Sequence, residues 1–599
     1  MNWRTVCLLA VYLLVAPVSG TPTWAQAPGD ISKLEGVWVA PVKPLLGKPI
    51  RLVLRVEKGV GGAFDTTLDT PEQEAFGLEV TGLELQDQIV RFESKVARVK
   101  FEGKLNEAGT AIDGSWMQGR AISVTFTKTD PDQVPKAPVV EVPAELEGLW
   151  SGAIAVQAGL ELRVVLNVTE KATGRRRAVL DSPDQSLSGL PISALTLKDG
   201  NLAFEMKLLK AEFTGKRSED GIAYEGTWTQ LGRKFPLTLK KVMRVEGPKR
   251  TQMPTAPFPY DVEEVIYENV EAGVKLAGSL TLPRGAGPFP AVLLISGSGA
   301  QDRDETLLGH KPFLVLADDL TRKGIAVLRV DDRGVGGSTG DTANSTSADF
   351  AGDVLAGVAF LKGHARINPR KIGLVGHSEG GVVGPIAASK SEDVAFVVMM
   401  AGTGVPGLDI LRLQGKLIAQ AMGATPRALE LQSEILDASY RLIKEESDPK
   451  LLTQKIKALT AEKLAGLTAE ERKAVEGESG GQATAETIEA SIVQMSTPWF
   501  RYFLDHDPRP VLRKVHCPVL AINGEKDLQV PPTQNLPEIE KALRDGGNTR
   551  SVVKELPGLN HLFQVASTGA PSEYAKIEET MTPAVLELIG TWILEQVGP

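Results

Sequence analysis

The chain has 599 residues, is 42% hydrophobic and 24% charged, and carries a formal net charge of −9. That length exceeds what one hydrophobic core supports and implies several domains, while the composition is that of a folded globular protein. The acidic balance, with no basic cluster to reverse it, argues against nucleic acid as a partner.

The amino terminus has the layout of an export signal over residues 1–27. Arg4 supplies the positive region, Val6 to Val15 the apolar core, and Pro17 to Ala27 a small-residue cleavage region containing Ala25-Gln26-Ala27. Cleavage after Ala27, Ala25 or Gly20 fits this layout. The apolar core falls short of the roughly 20 residues that span a bilayer, so a mature protein with no membrane span, periplasmic or extracellular, is expected. Of the two cysteines, Cys7 lies in the signal and Cys517 is alone in the mature chain. No intramolecular disulfide is therefore expected, and Cys517, at the entry to an apolar run, reads as a core thiol.

Residues 31–130 and 144–242 repeat one another. Leu34-Glu35-Gly36-Val37-Trp38 recurs 112 residues on as Leu146-Glu147-Gly148-Leu149-Trp150, and Gly114-Ser115-Trp116 recurs at the same offset as Gly226-Thr227-Trp228. Period-two stretches such as Arg51 to Val56 and Arg163 to Val168, punctuated by Gly, Asn and Asp, predict a small all-β barrel or sandwich in each copy. The four tryptophans are expected to fill barrel ends rather than to form a ligand platform. Pro-rich linkers, Thr129 to Pro143 and Pro248 to Pro259, bracket the second copy.

From Asp261 the pattern changes. A hairpin (Val262 to Val270, Val274 to Pro283) precedes apolar runs typical of strands covered on both faces: Pro290 to Ile295, Ile325 to Val330, Ile372 to Val375, Val394 to Met400 and Pro518 to Ile522. Helical stretches alternate with them, Pro312 to Lys323, Ala348 to Gly363, Gly381 to Lys390 and Pro537 to Asp545 among them. The alternation predicts a doubly wound, mostly parallel sheet over 261–599. A Glu-, Lys-, Ala- and Leu-rich insert at 405–510 has helical spacing in Leu408 to Met422, Arg427 to Glu445 and Leu451 to Leu464, with a glycine-rich break near Gly480.

Gly376-His377-Ser378-Glu379-Gly380 lies between a predicted strand and a predicted helix. A serine on so sharp a turn needs neighbours without side chains, and the turn lifts its hydroxyl clear of the sheet. Serine is a poor nucleophile unless an imidazole takes its proton and a carboxylate orients that imidazole. Among the six histidines, His310 and His364 sit beside helix ends, where solvated or capping roles are expected. His506 lies in a charged turn, His516 precedes a core strand, and His377 should point away from the nucleophile. His561 alone follows a carboxy-terminal strand in a loop. For the acid, Asp527 competes with Glu525.

The order of these motifs resembles the α/β-hydrolase superfamily: a nucleophile after the fifth strand, an acid within Asn523-Gly524-Glu525-Lys526-Asp527, and a histidine after the last strand. Gly297-Ser298-Gly299-Ala300-Gln301-Asp302-Arg303-Asp304 and Asp331-Asp332-Arg333-Gly334 resemble the secreted bacterial serine esterase family that includes EstD, with serine aminopeptidase-like relatives. The resemblance implies Ser378, Asp527 and His561 as catalytic residues. It also implies an oxyanion hole from the amide of Glu379 and that of Ser298 or Gly299, and a lid formed by the insert, with Trp499 and Phe500 as an apolar wall. Asp302 and Arg303 read as scaffold of the site rim. The implied reaction is hydrolysis of a small or medium carboxylic ester without cofactor or metal. Peptide or thioester hydrolysis by the same residues is the alternative, and a binding protein with an inert hydrolase half is the alternative of another class.

Overall fold

The computed structural model describes residues 30–598, apart from 43–48, 60–61, 95, 98, 118–120, 158–159, 172, 186, 231–232, 246–248, 343, 422, 469–494 and 496. The predicted export signal and the break near Gly480 lie outside the described residues. Contacts divide the chain into two compact units, one ending at Lys249 and one running from Arg250 to Pro599. Among the described residues no helix is long and apolar enough to cross a membrane.

The first unit holds two nine-stranded antiparallel sheets with the same strand order. In each, every strand pairs with the next in sequence and the first pairs with the ninth; the one break falls between the fourth and fifth. The first sheet runs from Gly36–Val42 to Ala121–Thr129 and the second from Gly148–Gln157 to Arg233–Val242. Both are rolled and barrel-like, because residues from every strand meet in one interior cluster, around Trp38, Phe101 and Phe126 in the first and Trp150, Phe213 and Trp228 in the second. Period-two sequence produces this directly, as one face turns inward and the other to water. Trp38 and Trp150 are fully buried. Each indole N–H donates to a carbonyl four residues back, Leu34 at 2.7 Å and Leu146 at 2.9 Å, and a lysine covers each ring. They close the interior and offer no face to a ligand.

The second unit is built on eight strands: β1 (Asp261–Asn269), β2 (Val274–Leu282), β3 (Phe289–Ile295), β4 (Ala326–Val330), β5 (Ile367–His377), β6 (Val397–Met400), β7 (Val519–Gly524) and β8 (Ser551–Leu556). Their order across the sheet is β1-β2-β4-β3-β5-β6-β7-β8. All pairs from β4 onward are parallel, and β1 and β2 are antiparallel. The apolar runs are read twice over. In β3, Ala291, Leu293 and Ile295 face one core and Val292 and Leu294 the other, as a strand covered on both sides requires.

Helices α1 (Pro312–Arg322), α2 (Ser347–Gly363) and α3 (Gly380–Ala388) follow β3, β4 and β5. The insert supplies α4 (Gly407–Ala421), α5 (Pro426–Glu445), α6 (Pro449–Ala465), α7 (Pro498–Asp505) and the short α8 (Arg509–Leu512). α9 (Pro532–Asp545) follows β7 and α10 (Pro583–Val597) ends the chain. α9 starts five residues before its predicted beginning, because Pro532 opens its first turn, where the missing N–H has no helical partner, and Pro537 is carried inside the helix. Cys517 is half-buried against the core, and burial pushes its thiol up to about 11.

Candidate active site

The turn between β5 and α3 puts Ser378 at φ 53, in the left-handed region that side chains rarely adopt. Only glycine fits around it. A Cβ at Gly376 would stand 2.0 Å from the carbonyl oxygen of Gly380, and one at Gly380 would stand 2.1 Å from that of Ile295. The Ser378 amide donates to the Met400 carbonyl at 2.8 Å, tying the turn to the neighbouring strand. The residue is half-buried and lines a cavity of about 80 Å³ with Ser298, Glu379, Thr403, Trp499 and Phe500.

Asp527, in the loop after β7, and His561, in the loop after β8, are buried and bonded to each other, His561 Nδ1 to Asp527 Oδ2 at 2.8 Å. The other Asp527 oxygen accepts from the amides of Gln529 and Val530, both at 2.8 Å. That leaves the carboxylate one orientation. Glu525, its sequence rival, is exposed and accepts from the Gly558 amide at 2.7 Å; it holds the turn ahead of His561 and takes no part in the pair. Ser378 Oγ makes no hydrogen bond among the described residues. The Asp527–His561 half of the constellation is formed, and Ser378 lines one cavity with Gln529 and Val530, the residues whose amides hold Asp527.

The loop after β3 presses against the serine: a Cβ at Gly297 would lie 3.3 Å from Ser378 Cβ. Glu305 Oε1 takes the Gly297 amide at 2.7 Å. The amides of Ser298 and Glu379 are unbonded among the described residues, and both residues line the serine's cavity. Of the two predicted alternatives, Ser298 lines the cavity of Ser378, and Gly299 lines a smaller one of about 60 Å³ that Glu379 also lines. Asp332 fixes this loop by accepting from Ser296 Oγ at 2.6 Å and the Gln301 amide at 2.9 Å; burial pushes its carboxyl well above the usual range. Asp302 is consumed by Thr306, and Arg303 by Asp331, Glu264 and Ser279. Both are scaffold, as expected.

Two other histidines are held inside the fold. The His377 ring is 4.9 Å from that of His561. Its Nδ1 meets Glu305 Oε1 at 2.8 Å and its Nε2 meets the His561 carbonyl at 3.0 Å. Both partners are acceptors, so the ring fills them only as the doubly protonated imidazolium. Burial opposes that charge, but Glu305 outweighs it and leaves the pKa above the ordinary histidine value. His310, expected at a solvated helix end, is fully buried among Thr580, Tyr574 and Gln564, and burial lowers its pKa to about 4.

Glu379 was expected to matter for its amide alone. Its side chain is buried and accepts from Ser347 Oγ at 2.6 Å and from Trp499 Nε1 at 2.7 Å, and burial raises its pKa. Trp499, on α7, stacks on Phe503 with ring centroids 5.5 Å apart. Phe500 packs with Tyr440 and Leu504 inside the helical insert while still touching the cavity. Among the described residues, no group of three or more His, Cys, Asp or Glu side chains is arranged to hold a metal ion.

A family model of X-Pro dipeptidyl-peptidases (S15 family) matches residues 272–550. Esterase EstD of Thermotoga maritima is 28% identical over 323 residues, which are 53% of this chain and 66% of that protein's length. Solved structures of similar shape include an esterase of Pyrococcus furiosus (15% identity, TM-score 0.33, covering 57% of this chain and 91% of that one). Est1E of Butyrivibrio proteoclasticus, solved with ferulic acid, is another (16% identity, TM-score 0.30, covering 56% and 99%). The strand order, with a serine after β5 and a histidine after the last strand, is that of the α/β-hydrolase fold, and over this half the chain resembles that superfamily.

Proposed function

We propose that this chain is an exported serine hydrolase that cleaves small or medium carboxylic esters through an acyl-enzyme. The observation that carries the reading is the buried 2.8 Å bond between Asp527 and His561, together with a serine held at φ 53 that shares a cavity with the Gln529 and Val530 loop holding Asp527. Substrate binding brings Ser378 Oγ within reach of His561 Nε2, since such bonds tighten in the Michaelis complex. His561 takes the proton as Ser378 attacks the ester carbonyl. Asp527 holds the tautomer and stabilises the imidazolium. The amides of Glu379 and Ser298 receive the oxyanion; losing one such donor costs about 10²–10³ in turnover. The imidazolium then protonates the departing alcohol, and water repeats the sequence to free the acid.

The cavity supports the substrate class. About 80 Å³ enclosed by Ile410, Leu411, Trp499, Phe500 and Phe503 suits a short apolar acyl group. Peptidase chemistry on a free amino terminus calls for an unoccupied carboxylate facing the ammonium. Among the described residues the only carboxylate lining this cavity is Glu379, already bonded to Ser347 and Trp499. The export signal at 1–27 and origin of 31–130 and 144–242 by duplication belong to the same proposal. The test compares p-nitrophenyl acetate and butyrate with aminoacyl and X-Pro nitroanilides. Faster ester turnover is expected, and a preference for a nitroanilide overturns the esterase reading.

A further inference from the structure

The first unit contains a cleft of about 430 Å³ between its two sheets, within the size range of small-molecule sites. Equivalent positions of the two sheets meet across it. Asp65 and Arg177, 112 residues apart, pair at 3.1 Å, and the edge strands Ala75–Glu79 and Leu187–Pro191, at the same offset, pack on one another. The arrangement is that of a two-fold interface built from one chain.

The symmetry breaks in charge. Where the first sheet has Ala63-Phe64-Asp65, the second has Arg175-Arg176-Arg177, and all three arginines line the cleft. Seven Lys and Arg side chains face it against three carboxylates, in a chain whose net charge is −9. Several are held by neighbours: Arg55 by Asp69, Lys171 by Glu79, Lys207 by Glu74, Arg176 by Glu147. Two are not spent. Arg175 is exposed, and its side chain makes no hydrogen bond or ion pair among the described residues. Arg177 holds Asp65 through Nη2 while its Nη1 is buried with no partner among the described residues, an arrangement that costs free energy until an acceptor relieves it. Phe76, Val140 and Ile192 add apolar lining to the cleft. Val140 belongs to the linker, which Arg55 pins through the Pro135 carbonyl at 2.7 Å.

We propose that this cleft binds a small amphiphilic carboxylate, its head group between Arg175 and Arg177 and its apolar body along Phe76, Val140 and Ile192. A planar guanidinium fork matches a carboxylate, and the apolar lining accounts for a body attached to it. This inference does not depend on the hydrolase chemistry of the second unit.

The test is calorimetric titration of octanoate into the full mature chain, with inorganic phosphate and octan-1-ol as separate arms. One saturable site per chain is expected, with octanoate binding more tightly than either comparator. Arg175→Glu should weaken octanoate on the order of tenfold or more with an unchanged melting temperature, since the Arg175 side chain has no partner to lose. Arg177→Gln should weaken it as well. Absence of saturable heat, octanoate affinity unchanged in Arg175→Glu, or phosphate or octanol binding as tightly as octanoate would each overturn the proposal.

Discussion

At the scale of single residues, the site rests on side chains with one permitted arrangement. Asp527 is held by two amides and can turn only to His561. His377 braces the His561 backbone from behind and owes its raised pKa to Glu305. A histidine whose pKa is higher folded than unfolded contributes stability that is full below the unfolded value and is lost as pH rises through the folded one. His377→Gln is therefore expected to be less stable than wild type at pH 6, by roughly 1–3 kcal/mol, and to converge with it under alkaline conditions. Denaturant titrations across pH check this; a gap that widens with pH would contradict it. The Asp527–His561 pair and the strained turn at Ser378 were legible in sequence because each sits in a local motif in a fixed chain order. The Glu305–His377 brace was not. Glu305 lies 72 residues upstream, in a loop at φ 52, and no periodicity marks which loop residue will reach a buried imidazole.

At the scale of elements, the elbow is a collision avoided. β3, β5 and the start of α3 approach so closely that a side chain at Gly380 would run into the Ile295 and Ser296 carbonyls. Gly380→Ala is expected to cost roughly 1–3 kcal/mol through overpacking and, by displacing the Glu379 amide, to remove most ester turnover. A melt and a p-nitrophenyl acetate assay read both effects; a variant with ordinary turnover would show that the close approach is not required. Element existence was legible from apolar runs and their spacing, and boundaries less so. β5 begins at Ile367, earlier than the apolar run Ile372 to Val375 implies, because polar Asn368 to Lys371 bulge within the strand between the pairs Phe289–Ile367 and Ala291–Ile372. A bulge interrupts the alternation from which a strand is read. α7 bears Trp499, and its indole N–H reaches the buried Glu379 carboxylate. The insert is thereby attached to the Ser378 turn itself, a link that amphipathic spacing cannot reveal.

At the scale of the whole molecule, the two units have separate hydrophobic cores, and every proposed catalytic group lies in the second. A chain beginning at Arg250 is expected to fold and to turn over p-nitrophenyl acetate, as units with their own cores do; loss of activity with folding intact would tie the β-sheets to the chemistry. The 112-residue offset made the two-part first unit legible in sequence. The cleft between its sheets was not, because no offset predicts which faces of two copies will meet. The central claim is that Ser378 is a nucleophile activated by His561 and Asp527. It is tested most directly by treating the mature chain with a fluorophosphonate and mapping the adduct by mass spectrometry. A single adduct on Ser378 is predicted, absent in Ser378→Ala and strongly slowed in His561→Ala; an unlabelled protein, or an adduct on another residue, would contradict it.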